Sequence, residues 1–435
     1  MKKLISFLEK YFVPIAGRIG SQRHLVAIRD GFVVLMPLII AGSMAVLINS
    51  LPIKPYQNFM TNLFGDTWKN FGGNIWMGSF AIMSLLVVST IAYNLAKSYE
   101  SDGLSAAVIA FAALLTITQP TKDGSGIPYG WTGGLGLFLA IIVALIATEI
   151  FVRLRNTKAL VIKMPEGVPP AVAKSFAALL PAIITIAIFS LIKIFFTVIG
   201  VADIHKLIYD VLQGPLASMA NTLWSAIIIA LLNHLFWFFG LHGSNILEPV
   251  MQAVYLPALN ANIEAFKAGA AVIPNIVTKP FFDCFVYMGG SGVTLCLIAA
   301  IYIASKRKHY RSMASLSAAP GLFNINEPLV YGMPIVLNPV LLIPFIITPV
   351  ILTIISYVAI ATGLVPHTVV MVPWTTPPII SGWLVTGGSW RGSLLQIINL
   401  FIGIVMYIPF IIMAEKIEDK NNNTTINSKN NTLSN

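Results

Sequence analysis

Apolar stretches of about 20 residues, each followed by a short polar segment, recur along the chain from residue 25 to residue 413. An α-helix of that length crosses a hydrocarbon core about 30 Å thick. We therefore expect an all-α polytopic membrane protein with about ten transmembrane helices. The predicted crossings lie at about 25–49, 77–97, 104–118, 131–152, 175–200, 219–239, within 244–276, 283–305, 331–361 and 393–414.

The second half of the chain has a less regular pattern than the first. Two segments, 241–250 and 313–328, are too short or too interrupted by proline and glycine to span a membrane. Broken helices at membrane depth are tolerated where they line a polar cavity, and they are typical of transport sites. We therefore predict two re-entrant hairpins there, together with amphipathic helices on the membrane surface at 4–12 and 201–213.

This change of pattern near residue 200 predicts how the chain is organised. We expect an N-terminal transmembrane bundle over 1–200 and a C-terminal half with the hairpins over 201–416. Residues 417–435 are rich in Asn, Thr, Ser and Lys, a composition too polar to pack, so we expect a disordered tail.

Composition and charge agree with a membrane protein and predict its orientation. The chain is 57% hydrophobic and 10% charged, whereas soluble domains average roughly 25% charged residues. The net charge is +10, and basic clusters at 2–29, 153–174 and 306–311 mark the cytoplasmic side. Four and eight crossings return the chain to that side, so both termini are expected in the cytoplasm. No basic face with interleaved aromatics is present, which argues against nucleic-acid binding.

Several chemistries lack their motifs in this sequence. There is no G-x-x-x-x-G-K-[ST] loop for ATP and no repeated selectivity filter of a channel. Cys284 and Cys296 lie in one apolar span without further Cys or His partners, so we interpret both as buried thiols. We expect no metal and no cofactor.

Glu327 is the most conspicuous charged residue. It lies in Asn324-Ile325-Asn326-Glu327-Pro328 between apolar stretches, and the next acidic residue is Glu415. A carboxylate at the bilayer centre costs about 2.5–3.5 kcal/mol, so it is expected to face a cavity and to mark function. A structural alternative is that Asn324 or Asn326 caps a helix beginning at Pro328, with Glu327 near its positive end.

A second candidate segment follows an aromatic run and reads Gly240-Leu241-His242-Gly243-Ser244-Asn245. Glycines let the backbone approach a ligand closely, which favours a cavity position for the His242 imidazole and the Asn245 amide. The alternative for a lone histidine is an interhelical hydrogen bond, as for His234. Two i,i+4 pairs are simpler to interpret, because Lys279 with Asp283 and Glu149 with Arg153 resemble interfacial ion pairs.

A third candidate segment, 373–391, crowds three tryptophans among hydroxyls and glycines. Trp374 and Trp390 are typical of an interfacial belt. Sugar rings present apolar C–H faces beside hydroxyls, and an indole beside polar groups suits them. We therefore assign Gly382 and Trp383, with Asn245 and Asn326, to substrate binding.

These residues resemble a known family. It is the membrane-spanning IIC component of the bacterial sugar phosphotransferase system, in its lactose, cellobiose and N,N′-diacetylchitobiose branch. The resemblance covers nearly the whole chain and rests chiefly on the Asn326-Glu327-Pro328 motif, with its continuation Leu329-Val330-Tyr331-Gly332, and on Leu241-His242-Gly243.

The resemblance implies that Glu327 and His242 hold the hydroxyl to be phosphorylated, normally at C6 of the non-reducing sugar. It also implies a homodimer formed through the first five spans, with the later spans and both hairpins around the sugar. Diacetylchitobiose and cellobiose are the expected disaccharides, and nothing in the sequence fixes contacts to an acetamide.

The implied mechanism is group translocation, in which a phosphocysteine on a IIB partner phosphorylates the sugar at the cytoplasmic face. Because the chain shows no exposed cysteine, we expect IIB to be a separate cytoplasmic protein. The chain is then the membrane subunit of a multi-protein phosphotransferase, with lipid, a second copy and the sugar as its other partners. The alternative function is an ion-coupled symporter that moves unmodified sugar.

Overall fold

The computed structural model of the chain describes residues 10, 14–15, 17–51, 53–160, 162, 169–333, 335 and 338–433. Within these ranges every regular element is helical. The surface helix predicted at 4–12 falls outside them apart from Lys10.

The helices are numbered here in chain order. The first ten are α1 Arg23–Ser50, α2 Lys54–Phe64, α3 Asn70–Met77, α4 Met83–Ser98, α5 Gly103–Ile117, α6 Tyr129–Thr132, α7 Leu137–Arg155, α8 Pro170–Val198, α9 Ile204–Ile208 and α10 Gly214–Ala220. The others are α11 Leu223–Phe238, α12 Gly243–Val250, α13 Leu256–Lys267, α14 Lys279–Phe281, α15 Thr294–Ala304, α16 Lys308–Leu322, α17 Glu327–Gly332, α18 Pro339–Ala361, α19 Ile380–Val385 and α20 Trp390–Leu433. Wider π-type turns at Tyr209–Gln213, Met251–Tyr255 and Phe282–Val286 extend α9, connect α12 to α13 and extend α14.

Six helical segments in the described part of the chain are long and apolar enough to cross a membrane: Arg23–Ser50, Asp66–Ser98, Gly134–Arg155, Ser175–Val198, Val340–Ala361 and Trp390–Ile417. The pair Ile204–Ala220 and Leu223–Phe238 makes a seventh if it is counted as one span. The multi-pass α-helical class is thus confirmed, while the number ten stays a prediction.

Two predicted crossings are short helices for a local reason. Helix α5 begins only after Asp102, whose carboxylate accepts the backbone N–H groups of Leu104 and Ser105 and so caps it. Helix α15 begins only after a glycine-rich loop at 289–293 in which several residues have positive φ. Helix α5 has the predicted length, whereas α15 is shorter than the predicted crossing at 283–305 because the glycine-rich loop occupies its first part.

The chain divides into two compact units. The N-terminal unit comprises 18–220 and 248–274, and the C-terminal unit comprises 1–17, 221–247 and 275–435. The division falls near 220, and 248–274 groups with the N-terminal unit. The segment predicted to lie on the membrane surface at 201–213 is helical from Ile204 and belongs to the N-terminal unit, with Asp203 capping α9 by accepting the Lys206 backbone N–H.

The N-terminal unit packs long helices through small residues. Gly31 of α1 lies so close to α4 that a Cβ there would come within 2.6 Å of Ile91 Cγ1. Close backbone approach at small residues is the usual way for apolar helices to pack in lipid, where burial of apolar surface gives little driving force between helices. His24 at the start of α1 lies 2.8 Å from Glu149 near the end of α7, so both helices place those ends together.

The last helix differs from its expectation. The sequence predicts a disordered tail from residue 417, whereas α20 continues to Leu433. No proline or glycine occurs from 410 to 433, and a helix that has already formed extends without a new nucleation cost.

Candidate functional site

His242 and Glu327 come together in the C-terminal unit. His242 follows the turn at Gly240, which has φ +76°, and directly precedes α12, while Glu327 is the first residue of α17. His242 Nε2 lies 3.6 Å from Glu327 Oε1, and the two side chains are 39% and 44% exposed. This separation is too long for a good hydrogen bond, so both groups can contact a third group placed between them.

The hydrogen bonding of His242 determines which ring nitrogen faces Glu327 as a donor. The backbone N–H of Asn245 donates to His242 Nδ1 over 3.2 Å. A neutral imidazole that accepts at Nδ1 carries its proton on Nε2. The site therefore presents an N–H donor opposite a carboxylate.

Glu327 is poised as an acceptor. Its Oε1 faces the His242 ring, and the side chain is 44% exposed. An ionised carboxylate accepts hydrogen bonds from hydroxyl groups and donates none.

An aromatic group holds the imidazole in place. The ring of Trp237 lies 4.3 Å from the ring of His242 at a tilt of 48°, and Trp237 is only 1% exposed. Tyr331 lies 6.4 Å from Trp237 and is 59% exposed. Tyr331 follows Glu327 by four residues in α17, which puts both on one helix face.

A buried polar network connects the segments that carry these groups. Asn233 of α11 donates to the Ser291 hydroxyl over 3.0 Å and accepts from the Ser244 hydroxyl over 3.2 Å. Asn326 donates to the Ser291 carbonyl over 3.1 Å. Ser291 thus bonds to residues adjacent to both Glu327 and the His242 segment, and a fully bonded network of this kind rigidifies a site.

Asn324 is a residue that the sequence suggested only as a helix cap. It adopts φ +62°, is 7% exposed, and accepts the Gly289 backbone N–H over 2.7 Å. Its Nδ2 donates to the carbonyls of Trp374 and Thr376. Asn324 therefore connects three separate loops. The one local signal in the sequence is the residue type itself, because asparagine adopts the left-handed conformation more readily than most residues.

The loop at 289–293 packs directly on this motif. Gly290 has φ +91°, and a Cβ there would lie 2.8 Å from both the Asn324 carbonyl oxygen and Asn326 Cβ. Val293 has φ +51°, an unfavourable conformation for a β-branched residue. Such strain persists where the surrounding contacts enforce it, and functional sites are common places for it.

The other candidate residues have different settings. The Asn245 side chain is exposed beside His242, whereas Asn326 is 4% exposed and bonded to Ser291. Gly382 is buried where α19 meets α20, and a Cβ there would lie 2.4 Å from Gln396 Oε1. Trp383 is partly buried, and its backbone is bonded within its own turn.

Three simpler predictions have clear outcomes. Cys284 and Cys296 are free and buried, as expected. The Glu149–Arg153 pair forms at 3.2 Å with an exposed arginine. Lys279 and Asp283 also pair, at 2.8 Å, with side chains only 6% and 12% exposed, so this pair is buried within the C-terminal unit.

Comparison with known proteins points in one direction. The family model described as phosphotransferase system, EIIC, matches residues 29–349. The chain is 43% identical to a cellobiose-specific EIIC component of Geobacillus stearothermophilus over 96% of this chain and 95% of that protein. It is 41% identical to the lichenan permease IIC component of Bacillus subtilis over 97% and 96% of the two chains. The crystal structure of the transporter ChbC, the IIC component of an N,N′-diacetylchitobiose-specific phosphotransferase system, superimposes with a TM-score of 0.91 at 42% identity and covers 95% of this chain and 99% of that one.

Proposed function

We propose, because the chain belongs to the EIIC family of the phosphotransferase system, that it binds a disaccharide from outside the cell and presents the C6 hydroxyl for phosphorylation during transport. The observation that carries this proposal is the Glu327 carboxyl group facing the His242 N–H donor across 3.6 Å. This donor–acceptor pair matches a hydroxyl group, which both donates and accepts a hydrogen bond.

In the proposed reaction the C6 hydroxyl donates to Glu327, and His242 Nε2–H donates to a sugar oxygen. Glu327 aligns the hydroxyl oxygen in line with the phosphorus and accepts its proton as the new bond forms. Positioning and charge stabilisation supply most of the catalysis in phosphoryl transfer.

The phosphoryl donor we propose is a phosphocysteine of a separate cytoplasmic IIB protein. The S–P bond breaks, an O–P bond to C6 forms, and the thiolate leaves on IIB. The product gains nearly two negative charges, and Glu327 repels them once it has released the accepted proton to water. One carboxylate thereby aligns the substrate and favours release of the product inside the cell.

The names of the relatives guide the choice of sugar. Cellobiose, lichenan and N,N′-diacetylchitobiose appear in the names of similar chains, and all favour a β-linked disaccharide here. We propose that Asn245, which is exposed, and Trp383, which is partly buried, contact the sugar directly. Asn326 and Gly382 we propose to act by holding the surrounding segments, since both are buried in close contacts.

The remaining proposals concern assembly and orientation. We propose a homodimer formed through the N-terminal unit, with both termini in the cytoplasm. The placement of His24 beside Glu149 supports one shared side for the basic clusters at 2–29 and 153–174. An ion-coupled symporter is not favoured, because a chain of this family has no need of ion coupling when phosphorylation traps its product.

Transport by membrane vesicles tests the function. Uptake of labelled cellobiose or diacetylchitobiose is expected to require phosphoenolpyruvate and the soluble phosphotransfer proteins, and to accumulate sugar phosphate. Uptake that yields free sugar and collapses with an uncoupler would instead identify a symporter. Equilibrium binding of cellobiose, diacetylchitobiose and lactose to the purified protein then identifies the preferred sugar.

A further inference from the structure

The N-terminal unit contains a cavity that the proposed reaction does not use. Its volume is about 270 Å³. It is lined by His24, Leu145, Ile146, Glu149, Ile150 and Arg153. His24 belongs to α1, and the other five share one face of α7, because they recur at helical spacing.

The cavity has an apolar wall and a polar end. Leu145, Ile146 and Ile150 form the wall, and Ile146 is 44% exposed. Arg153 lies one turn nearer the helix end, with its side chain 80% exposed. Since α7 ends the candidate span Gly134–Arg155, the polar end lies where a lipid headgroup region is expected.

Glu149 does not make this end acidic. Its Oε1 accepts the Tyr99 hydroxyl and lies 2.8 Å from His24 Nε2, and its Oε2 lies 3.2 Å from Arg153. The Arg23 guanidinium lies 4.0 Å from the centre of the Tyr99 ring. Two guanidinium groups thus oppose one carboxylate, so the cluster carries a net positive charge even with a neutral His24.

We propose that this cavity binds an anionic phospholipid. An acyl chain lies along Leu145, Ile146 and Ile150 in van der Waals contact. The headgroup phosphate lies at Arg153, whose guanidinium suits phosphate geometry. The apolar wall within a membrane span favours lipid over a soluble protein, and the net charge favours an anionic headgroup over a zwitterionic one.

Binding to the purified full-length protein in detergent tests this proposal. Native mass spectrometry with phosphatidylglycerol is expected to show a saturable bound lipid, and phosphatidylcholine is expected to bind more weakly. Arg153→Gln should weaken phosphatidylglycerol binding about fivefold, the effect of removing one basic side chain near an anionic headgroup. Arg311→Gln, which removes an arginine of the C-terminal unit, serves as the matched control and should leave binding unchanged.

A second variant separates lipid from free anion. Ile146→Trp places a larger side chain in the space along the apolar wall without changing the charge, so it should weaken phosphatidylglycerol binding. Equal binding of the two lipids, or full binding by Arg153→Gln, would overturn the proposal. Inorganic phosphate that competes fully with phosphatidylglycerol, with no effect of Ile146→Trp, would show a free-anion site and would also overturn it.

Discussion

The two units of the molecule use different means to build a helical structure. The N-terminal unit packs long apolar helices through small residues, as at Gly31 against Ile91. In the C-terminal unit, left-handed residues such as Asn324 and Val293 interrupt the helices. Buried side-chain amides form hydrogen bonds that hold these interruptions in place. Regular apolar packing thus supplies a scaffold, while the interrupted helices supply polar groups at positions where a sugar can be held.

Loss of the Glu327 carboxylate is expected to have the largest effect on sugar phosphorylation. Glu327→Gln replaces the carboxylate that accepts the proton with a neutral amide, so phosphorylation is expected to fall about 10²–10⁴-fold. Sugar phosphate formed per folded protein in vesicles is the measurement. Glu100→Gln, in the N-terminal unit, is the matched control and should keep full activity. Wild-type activity in Glu327→Gln would remove this residue from the mechanism.

His242 should have a smaller effect, because it donates to the sugar without receiving the proton in transfer. We expect His242→Gln to reduce phosphorylation about 10–100-fold, because the glutamine amide places its N–H donor at a different position from the ring Nε2–H. His309→Gln, at an exposed position of α16, is the control. A loss as large as that of Glu327→Gln would assign His242 the proton-accepting role instead.

Asn324 tests whether the breaks in the C-terminal unit are held by hydrogen bonds. Asn324→Ala leaves the Gly289 N–H and the Trp374 carbonyl without this partner, which is expected to cost about 1–3 kcal/mol of stability. Thermal unfolding in detergent measures the loss. Asn324→Gly relieves the left-handed backbone but restores no hydrogen bond, so it should recover only part of the stability.

Gly31 tests the packing of the N-terminal unit. A Cβ at this position would lie 2.6 Å from Ile91 Cγ1 and about 3 Å from the Ile91 backbone, so Gly31→Val is expected to destabilise by about 1–3 kcal/mol through overpacking. Sugar affinity per folded protein should stay unchanged. Gly73→Ala, where no atom lies within 4 Å of the new Cβ, should leave stability unchanged or raised. Lost sugar affinity in Gly31→Val would contradict the scaffold role.

The sequence predicted the individual polar residues better than their connections. Glu327 and His242 stand out because each interrupts an apolar context, and such local contrast is visible without a structure. The bonds from Ser291 to Asn233 and Asn326 join segments far apart in the chain, and no local pattern encodes them. Prediction of these partners requires the tertiary arrangement.

Gly382 is a second residue for which the sequence indicates a close contact but not the partner. A glycine in a polar segment between apolar stretches indicates that a ligand or another part of the backbone approaches it closely. The structure shows the second case, with the Gly392 carbonyl oxygen 2.6 Å from where a Cβ would be. The length of α15 was similarly overestimated, because left-handed residues end the apolar segment's helix where hydropathy continues.

The most direct test of the proposed site is the energetic coupling between Glu327 and the sugar C6 hydroxyl. Equilibrium binding of the preferred disaccharide and of its 6-deoxy analogue would be measured with the wild type and with Glu327→Gln. A direct contact predicts that the wild type loses affinity for the 6-deoxy sugar by about tenfold or more, while Glu327→Gln discriminates far less between the two. Equal discrimination by both proteins would show that Glu327 does not hold this hydroxyl, and it would contradict the account.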